Sequence, residues 1–320
     1  MRKSVLFLLF FPLILSAQEV FKERYYNQTL TSVDGHHGAF VWKMKKAGDV
    51  NARSEDVSTE KTNTHNWMPA IVPGTVLNSL VYNKVYPEPY YGLNNKLESG
   101  LIPDLYHAGR DFYTYWFRTE FNLNKDDFTD KKIWMQVDGI NYRAEIWLNG
   151  TMVGNIAGMF LQSQINITDY VSFDKKNILA VKVYPVDIPG TIKPKNGKAF
   201  GATGEFQNGG NGDIGRNVTQ LMTVGWDFTF LDGIRDRNTG IWKDISIFAT
   251  GKAILRHPFV KSGLNKPEYN QSRQTISVEL AYPNYLPQNK RQKVKVIGEI
   301  KEENIRFEKE VFLFREEVKE

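Results

Sequence analysis

Ala144-Glu145-Ile146-Trp147-Leu148-Asn149-Gly150-Thr151-Met152-Val153-Gly154 places Ala144, Ile146 and Leu148 on one face, turns at an Asn-Gly pair, and resumes as a second apolar segment. Asn-Gly between apolar segments is the strongest short hairpin signal, because both turn residues tolerate positive φ. Working outward, the same period of two recurs. Tyr115–Leu123 is aromatic and β-branched, and Lys132–Val137 follows it. Asn177–Tyr184 puts Leu179, Val181 and Val183 on one face, and Lys243–Phe248 puts Ile245 and Ile247 together. No long helical period competes. Short strands with dense turns predict an all-β fold, a jelly-roll β-sandwich over roughly residues 25 to 250.

The 320 residues leave room for one or two domains. Arg2 and Lys3, an apolar run over Val5–Leu15 and the small pair Ser16-Ala17 have signal-peptide architecture over residues 1–17. The run is shorter than the about 20 apolar residues of a membrane span. A buried N-terminal helix is the alternative. A signal peptide implies export, to a periplasm or to the outside. Glu19–Asn66 is a polar stretch with an isolated apolar patch at Ala39–Trp42, and denser structure begins at Trp67.

A boundary falls at Thr250-Gly251-Lys252, which assigns 18–252 to the jelly roll and 253–320 to a second unit. There Ile276, Val278 and Leu280 alternate with Thr275, Ser277 and Glu279. Val294 and Val296 alternate with Lys293 and Lys295, and Val311 and Leu313 close the set. This pattern predicts an immunoglobulin-like sandwich. It is expected to be incomplete, since such domains take about 100 residues. Missing strands would leave open edges and a half-covered core.

The absence of cysteine excludes disulfides and thiolate metal sites. The net charge of +5 is scattered without a basic stripe, so nucleic-acid binding is not indicated. His36-His37 points to opposite faces if extended and has no ligand partners nearby in sequence, so a metal site is not expected there. Gly197–Gly215 is rich in Gly and Asn but lacks a phosphate-loop ending, and reads as a long loop. Asn149-Gly-Thr, Asn166-Ile-Thr and Asn217-Val-Thr fit the glycosylation triplet, a pattern that also arises by chance.

A set of segments stands out in order along the chain. Val72-Pro73-Gly74-Thr75-Val76 and Pro89-Tyr90-Tyr91-Gly92-Leu93-Asn94 come first. Gly109-Arg110-Asp111-Phe112-Tyr113-Thr114-Tyr115-Trp116-Phe117 follows, then Asp138-Gly139-Ile140 and Ile146-Trp147-Leu148-Asn149-Gly150. Val224-Gly225-Trp226-Asp227-Phe228 and Arg235-Asp236-Arg237-Asn238-Thr239-Gly240-Ile241-Trp242-Lys243-Asp244 close the series. Together they resemble the sugar-binding, galactose-binding-like domain of glycoside hydrolase family 2, in its exo-β-glucosaminidase and β-mannosidase branches. The resemblance covers roughly residues 65 to 320.

In that family an immunoglobulin-like sandwich follows the first domain, and a catalytic barrel with two Glu residues comes after it. The resemblance therefore implies retaining hydrolysis of terminal β-linked hexosides without a cofactor, with a β-linked oligosaccharide or glycoside as partner. A (β/α)₈ barrel takes about 250 residues, and no Asn-Glu dipeptide occurs in the chain. Retaining hydrolysis needs two carboxyl groups about 5–5.5 Å apart, and none is assigned here. Ser54-Glu55 and Glu302-Glu303 read as solvated surface. The expectation is a portion inactive alone. The alternatives are a stand-alone carbohydrate-binding module, or a subunit complemented by a separate barrel chain.

By the same resemblance Trp226 and Asp227 contact the sugar, a flat apolar face with one donor beside a carboxylate that accepts vicinal hydroxyls. A core aromatic and a turn cap are the alternatives for these two. Phe228 stands where the family often has a second Trp. Tyr90, Tyr91, Asn94, Asp236 and Arg237 are possible borders of the site, with packing the competing reading for the tyrosines and a surface ion pair for Asp236 and Arg237. Trp242, among strand residues, is expected in the core.

Overall fold

A computed structural model describes residues 26–32, 41–94, 99–103, 105–186, 238–251, 253–281, 292–302 and 304–313. In chain order the strands of the first part are β1 (Tyr26–Thr29), β2 (Lys43–Lys46), β3 (Met68–Pro69), β4 (Gly74–Thr75), β5 (Tyr115–Phe121) and β6 (Lys132–Val137). They continue with β7 (Arg143–Leu148), β8 (Thr151–Ala157), β9 (Ser163–Asn166), β10 (Asn177–Tyr184), β11 (Gly240–Ile241) and β12 (Ile245–Thr250). One sheet runs β3-β2-β5-β10-β7-β8 and the other β1-β12-β6-β9. All these pairings are antiparallel. The all-β sandwich expected from the alternation is present.

The hairpin of β7 and β8 turns at Asn149 (φ 50°) and Gly150 (φ 89°), the left-handed pair that matches the twist of the flanking strands. Asn149 is also held by its side chain. Its Nδ2 donates to Tyr170 O and to Asn177 Oδ1, both at 2.8 Å, and its Oδ1 accepts from Ile178 N at 2.9 Å. The glycosylation triplet at Asn149 is thus an internal turn lock, since a glycan on Nδ2 would replace one of the two hydrogens that make these donations. At Asn166 the side-chain oxygen accepts from the amide and hydroxyl of Thr168, a local turn.

The core lies between the sheets. Phe117, Leu179, Val181, Val183, Ile146 and Leu148 from one sheet meet Ile133, Met135, Val137, Ile245, Ile247 and Ala249 from the other, all fully or almost fully buried. The polar-looking stretch before Trp67 adds to the fold in two ways. Trp42 is fully buried and its Nε1 donates to Leu30 O at 2.9 Å, which ties the first strand's continuation to the core. A short helix α1 (Ser54–Val57) then brings Val57 onto the outer face of the six-stranded sheet, where it packs with Trp67, Trp116 and Ala180. Arg118 fastens this cover. Its Nε donates to Val57 O at 3.1 Å and its Nη2 to Thr59 O at 3.4 Å, while Nη1 pairs with Glu120 at 3.2 Å. Glu55 is a surface residue, 3.1 Å from the Arg53 guanidinium.

The early segment at Val72–Val76 becomes β4 followed by helix α2 (Val76–Tyr82). Thr75 caps that helix, its hydroxyl oxygen accepting from Asn78 N at 2.9 Å. Beyond Thr250 come β13 (Ile254–Leu264), β14 (Ser272–Ala281), β15 (Gln292–Ile300) and β16 (Ile305–Leu313). They form two ribbons, β13-β14 and β15-β16, which pair with no other strand among the described residues. In the second ribbon Lys293 lies 2.7 Å from Glu310 and Lys295 lies 2.9 Å from Glu308 on one face. The register puts Val296, Gly298, Ile300, Ile305, Phe307 and Lys309 on the other, with the Phe307 ring lying over Gly298. No helix among the described residues is long and apolar enough to cross a membrane.

Candidate functional site

Trp226, Asp227, Asp236 and Arg237 lie outside the described residues, as do His36 and His37. The structure instead shows the frame from which the segment 187–237 departs and to which it returns. At the departure, Arg110 Nε donates to Val186 O at 2.9 Å and Nη2 to Pro185 O at 3.2 Å. At the return, Asn141 Nδ2 donates to Asn238 O at 3.0 Å and to Asn238 Oδ1 at 2.7 Å. Asn141 and Gly240 exchange both backbone bonds, at 2.9 and 2.8 Å. Tyr142 N donates to Tyr184 O at 3.0 Å, so departure and return sit side by side at one end of the sandwich.

Two groups of side chains stand at this end. The first is on the outer face of the six-stranded sheet. The Tyr184 hydroxyl donates to Glu145 Oε1 at 2.6 Å, and the Arg143 guanidinium lies 4.6 Å from the Tyr184 ring centre. Burial, then the hydrogen bond to Glu145 and its charge, push the Tyr184 phenol well above its ordinary range. Burial, and to a smaller degree the charges of Tyr86 and Asp49, pushes Tyr115 up to about 12.

Both phenols give up protons more readily in the unfolded chain. The stability they protect is complete below about pH 10 and is lost as pH rises, through about 12 for Tyr115. Urea titrations between pH 9 and 11 should therefore show stability falling, and Tyr115→Phe should flatten that fall. An unchanged slope in Tyr115→Phe would refute the assignment.

The second group lines an open cavity of about 300 Å³: Pro73, Asp138, Gln162, Trp242, Lys243 and Asp244. Trp242 was expected in the core but is half-buried and forms a wall of this cavity. It belongs to the corner before β12, which starts at Ile245, so the strand period does not reach it. Its Nε1 donates to Met159 O at 2.9 Å, Phe160 meets it edge-on at 5.7 Å, and Lys243 Nζ lies 4.8 Å from its ring centre. Gly139 backs the ring. A Cβ there would fall 2.7 Å from the indole nitrogen, so only glycine admits the indole.

Tyr90 and Tyr91 are 64% and 76% exposed, which overturns the packing reading for both. They stand on a turn in which Asn94 Nδ2 donates to Glu88 O at 2.9 Å. A second cavity of about 300 Å³ lies at the opposite end of β5, where Glu120 already pairs with Arg118 and Lys176.

Chemically this end offers acceptors and an aromatic wall. Asp138 accepts from Gln136 Nε2 at 2.8 Å, and the cavity is open to solvent. The lining offers hydrogen-bond acceptors to a hydroxylated ligand. Asp138 and Asp244 lay inside the quoted segments, but nothing in their local sequence told that the β6–β7 and β11–β12 corners meet.

The profile described as glycosyl hydrolase 2 galactose-binding domain-like matches residues 42–243. The chain belongs to this glycosyl hydrolase 2 family. It is 41% identical over 185 residues to a mannosylglycoprotein endo-beta-mannosidase of Lilium longiflorum, covering 58% of this chain and 18% of that protein. It is 25% identical over 217 residues to an exo-beta-D-glucosaminidase of Amycolatopsis orientalis, covering 66% and 17%. The fold is similar to the crystal structure of the Amycolatopsis orientalis exo-chitosanase, with a TM-score of 0.60, 22% identity, and coverage of 86% of this chain and 27% of that one. The glycosyl hydrolase 2 chain thus spans under a fifth of the length of these two curated relatives. Strand pairing among its described residues is antiparallel throughout, so the parallel barrel of such enzymes is not among them.

Proposed function

We propose that this chain is the exported N-terminal sugar-contacting portion of a family 2 glycoside hydrolase for terminal β-linked hexosides. The family match over residues 42–243 carries the reading. In it, residues 1–17 are a signal peptide, 18–252 the sugar-binding unit, and 253–320 the beginning of an immunoglobulin-like sandwich. Trp226 and Asp227 hold the terminal sugar, with Asp236 and Arg237 at the border of the site. The clamps at Arg110 and Asn141 support this by fixing both ends of the segment that bears all four. The portion is expected to be inactive alone, since no pair of carboxyl groups across a glycosidic oxygen is assigned among its described residues.

Purified protein incubated with aryl β-mannoside and aryl β-glucosaminide is expected to release no aryl alcohol. Turnover that survives both repurification and Asp227→Ala would sink the reading. A second reading has its own observation in the ribbons beyond Thr250, whose exposed apolar residues include Val260, Ile276, Ile305 and Phe307. Such faces fit complementation by a separate barrel-bearing chain, through added strands and apolar packing.

A further inference from the structure

We propose that the cavity at the far end of β5 binds an oxyanion, a sulfate or phosphate group that is either free or carried as an ester on a small molecule. Three cations converge on it: Lys43, Arg118 and Lys176. Lys43 on β2 and Arg118 on β5 are direct cross-strand partners, so both side chains stand on the same face of the six-stranded sheet. Like charges placed directly opposite in a sheet repel. Lys176 comes from the other side of β5, just before β10. Against these three the lining holds one carboxylate, Glu120, which is shared between Arg118 Nη1 at 3.2 Å and Lys176 Nζ at 3.1 Å. Three cations less one carboxylate leave a surplus of two positive charges on the lining. Lys43 pairs with no carboxylate among the described residues; its Nζ donates to Thr64 O at 3.3 Å and to Thr64 Oγ1 at 3.5 Å.

The surplus is held where water screens it poorly. Arg118 is 6% exposed, and burial lowers its pKa against the opposing charge and hydrogen bond of Glu120 and the charge of Glu60, an exposed residue outside the lining. A buried guanidinium is costly unless its charge is matched. Its Nε, one Nη2 hydrogen and one Nη1 hydrogen serve Val57 O, Thr59 O and Glu120. A guanidinium has five N–H donors, so one remains on each Nη, and such pairs suit the paired oxygens of an oxyanion. Lys43 and Lys176 add ammonium groups from the two strands that flank β5. The cavity of about 300 Å³ has room for more than the bare ion, and Val41, 55% exposed, gives its rim an apolar surface on which a carrier can rest.

The test is a calorimetric titration of the 320-residue chain with sodium sulfate, sodium phosphate, glucose 6-sulfate, glucose and sodium chloride, all at one ionic strength. Sulfate and phosphate should bind in the millimolar range, at least about tenfold more tightly than chloride. Lys43→Met keeps the aliphatic stem, removes the charge opposite Arg118, and should weaken sulfate at least about tenfold, with folding checked by circular dichroism. Lys176→Ala alters a side chain that is 62% exposed, should weaken sulfate about threefold, and decides the matter if Lys43→Met does not fold. Glu120→Gln should tighten sulfate several-fold by removing the carboxylate that competes for the same donors. Lys261→Met, exposed on β13, should leave it unchanged. The proposal falls if sulfate and phosphate bind no more tightly than chloride, if the folded lysine variants at 43 and 176 bind sulfate as the parent does, or if Glu120→Gln weakens binding. It also falls if Lys261→Met weakens sulfate as much as Lys43→Met, which would reduce the effect to net charge. Glucose binding as tightly as glucose 6-sulfate would overturn the anion preference. Tighter binding of glucose 6-sulfate than of sulfate supports the site as one for an ester, and binding of the inorganic ions alone supports it as one for the free anion.

Discussion

Gly240→Ala should destabilise the sandwich by about 3 kcal/mol, among the largest effects of a single methyl group in this chain. A Cβ at Gly240 would fall 2.6 Å from Thr75 Cα and closer still to the carbonyl oxygen of Gly74. Both are backbone atoms, so no side chain can rotate away. The chain must separate β4 from β11 or break the paired bonds between Asn141 and Gly240, which also anchor the return of the segment 187–237. Urea unfolding followed by tryptophan fluorescence gives the measurement. A loss below about 0.5 kcal/mol would mean that the two backbones are not held in contact. Asn141→Ala should give a milder loss of about 1–2 kcal/mol, since it removes side-chain bonds to Asn238 without a clash.

The other large effect belongs to Trp42→Ala, with an expected loss of about 5 kcal/mol. Removing a fully buried indole costs about 3–5 kcal/mol, from lost burial and from the cavity it leaves. Leu30 O also loses its donor, which adds about 1 kcal/mol or more. Trp42→Phe separates the terms, keeping most of the apolar volume while losing the N–H, and should cost about half as much. Domains of this kind have about 5–15 kcal/mol in total. Trp42→Ala should therefore populate the unfolded state at low urea, with little change in the slope of the transition. Equal stability of the two variants would show that the indole donor, and not the volume, holds Leu30.

The strands were legible where the sequence kept a strict period of two over a buried face. Leu179, Val181 and Val183 located β10 to the residue, and Asn149-Gly150 located the hairpin, because each signal depends only on neighbouring residues. The cover over the outer sheet face was not legible. Val57 and Trp67 are ten positions apart in a polar stretch, and only the fold brings them onto Trp116. β4 and β11 are two residues each, too short for any period, and exist because Gly240 lets two backbones touch. At the candidate site, the resemblance pointed to Trp226 and Asp227, while Asp138, Gln162 and Asp244 come from three separate corners. Their assembly is tertiary, so no local pattern announces it. Trp242 misled for a related reason: large aromatics usually lie inside, and this one has its nitrogen bound to a loop carbonyl at the surface.

The β15–β16 ribbon is uneven in cross-section: one side carries two Lys–Glu pairs beside Ile297 and Phe312, and the other is mostly apolar, with Lys309 among its residues. Salt acts on its two sides in opposite senses. Electrolyte weakens Lys293–Glu310 and Lys295–Glu308, while strongly hydrated anions such as sulfate drive the Ile305 and Phe307 side out of water. Rising sulfate would thus loosen the ribbon's ionic ladder and promote self-association through its greasy flank, giving this part of the molecule a salting-out response that the sealed sandwich does not share.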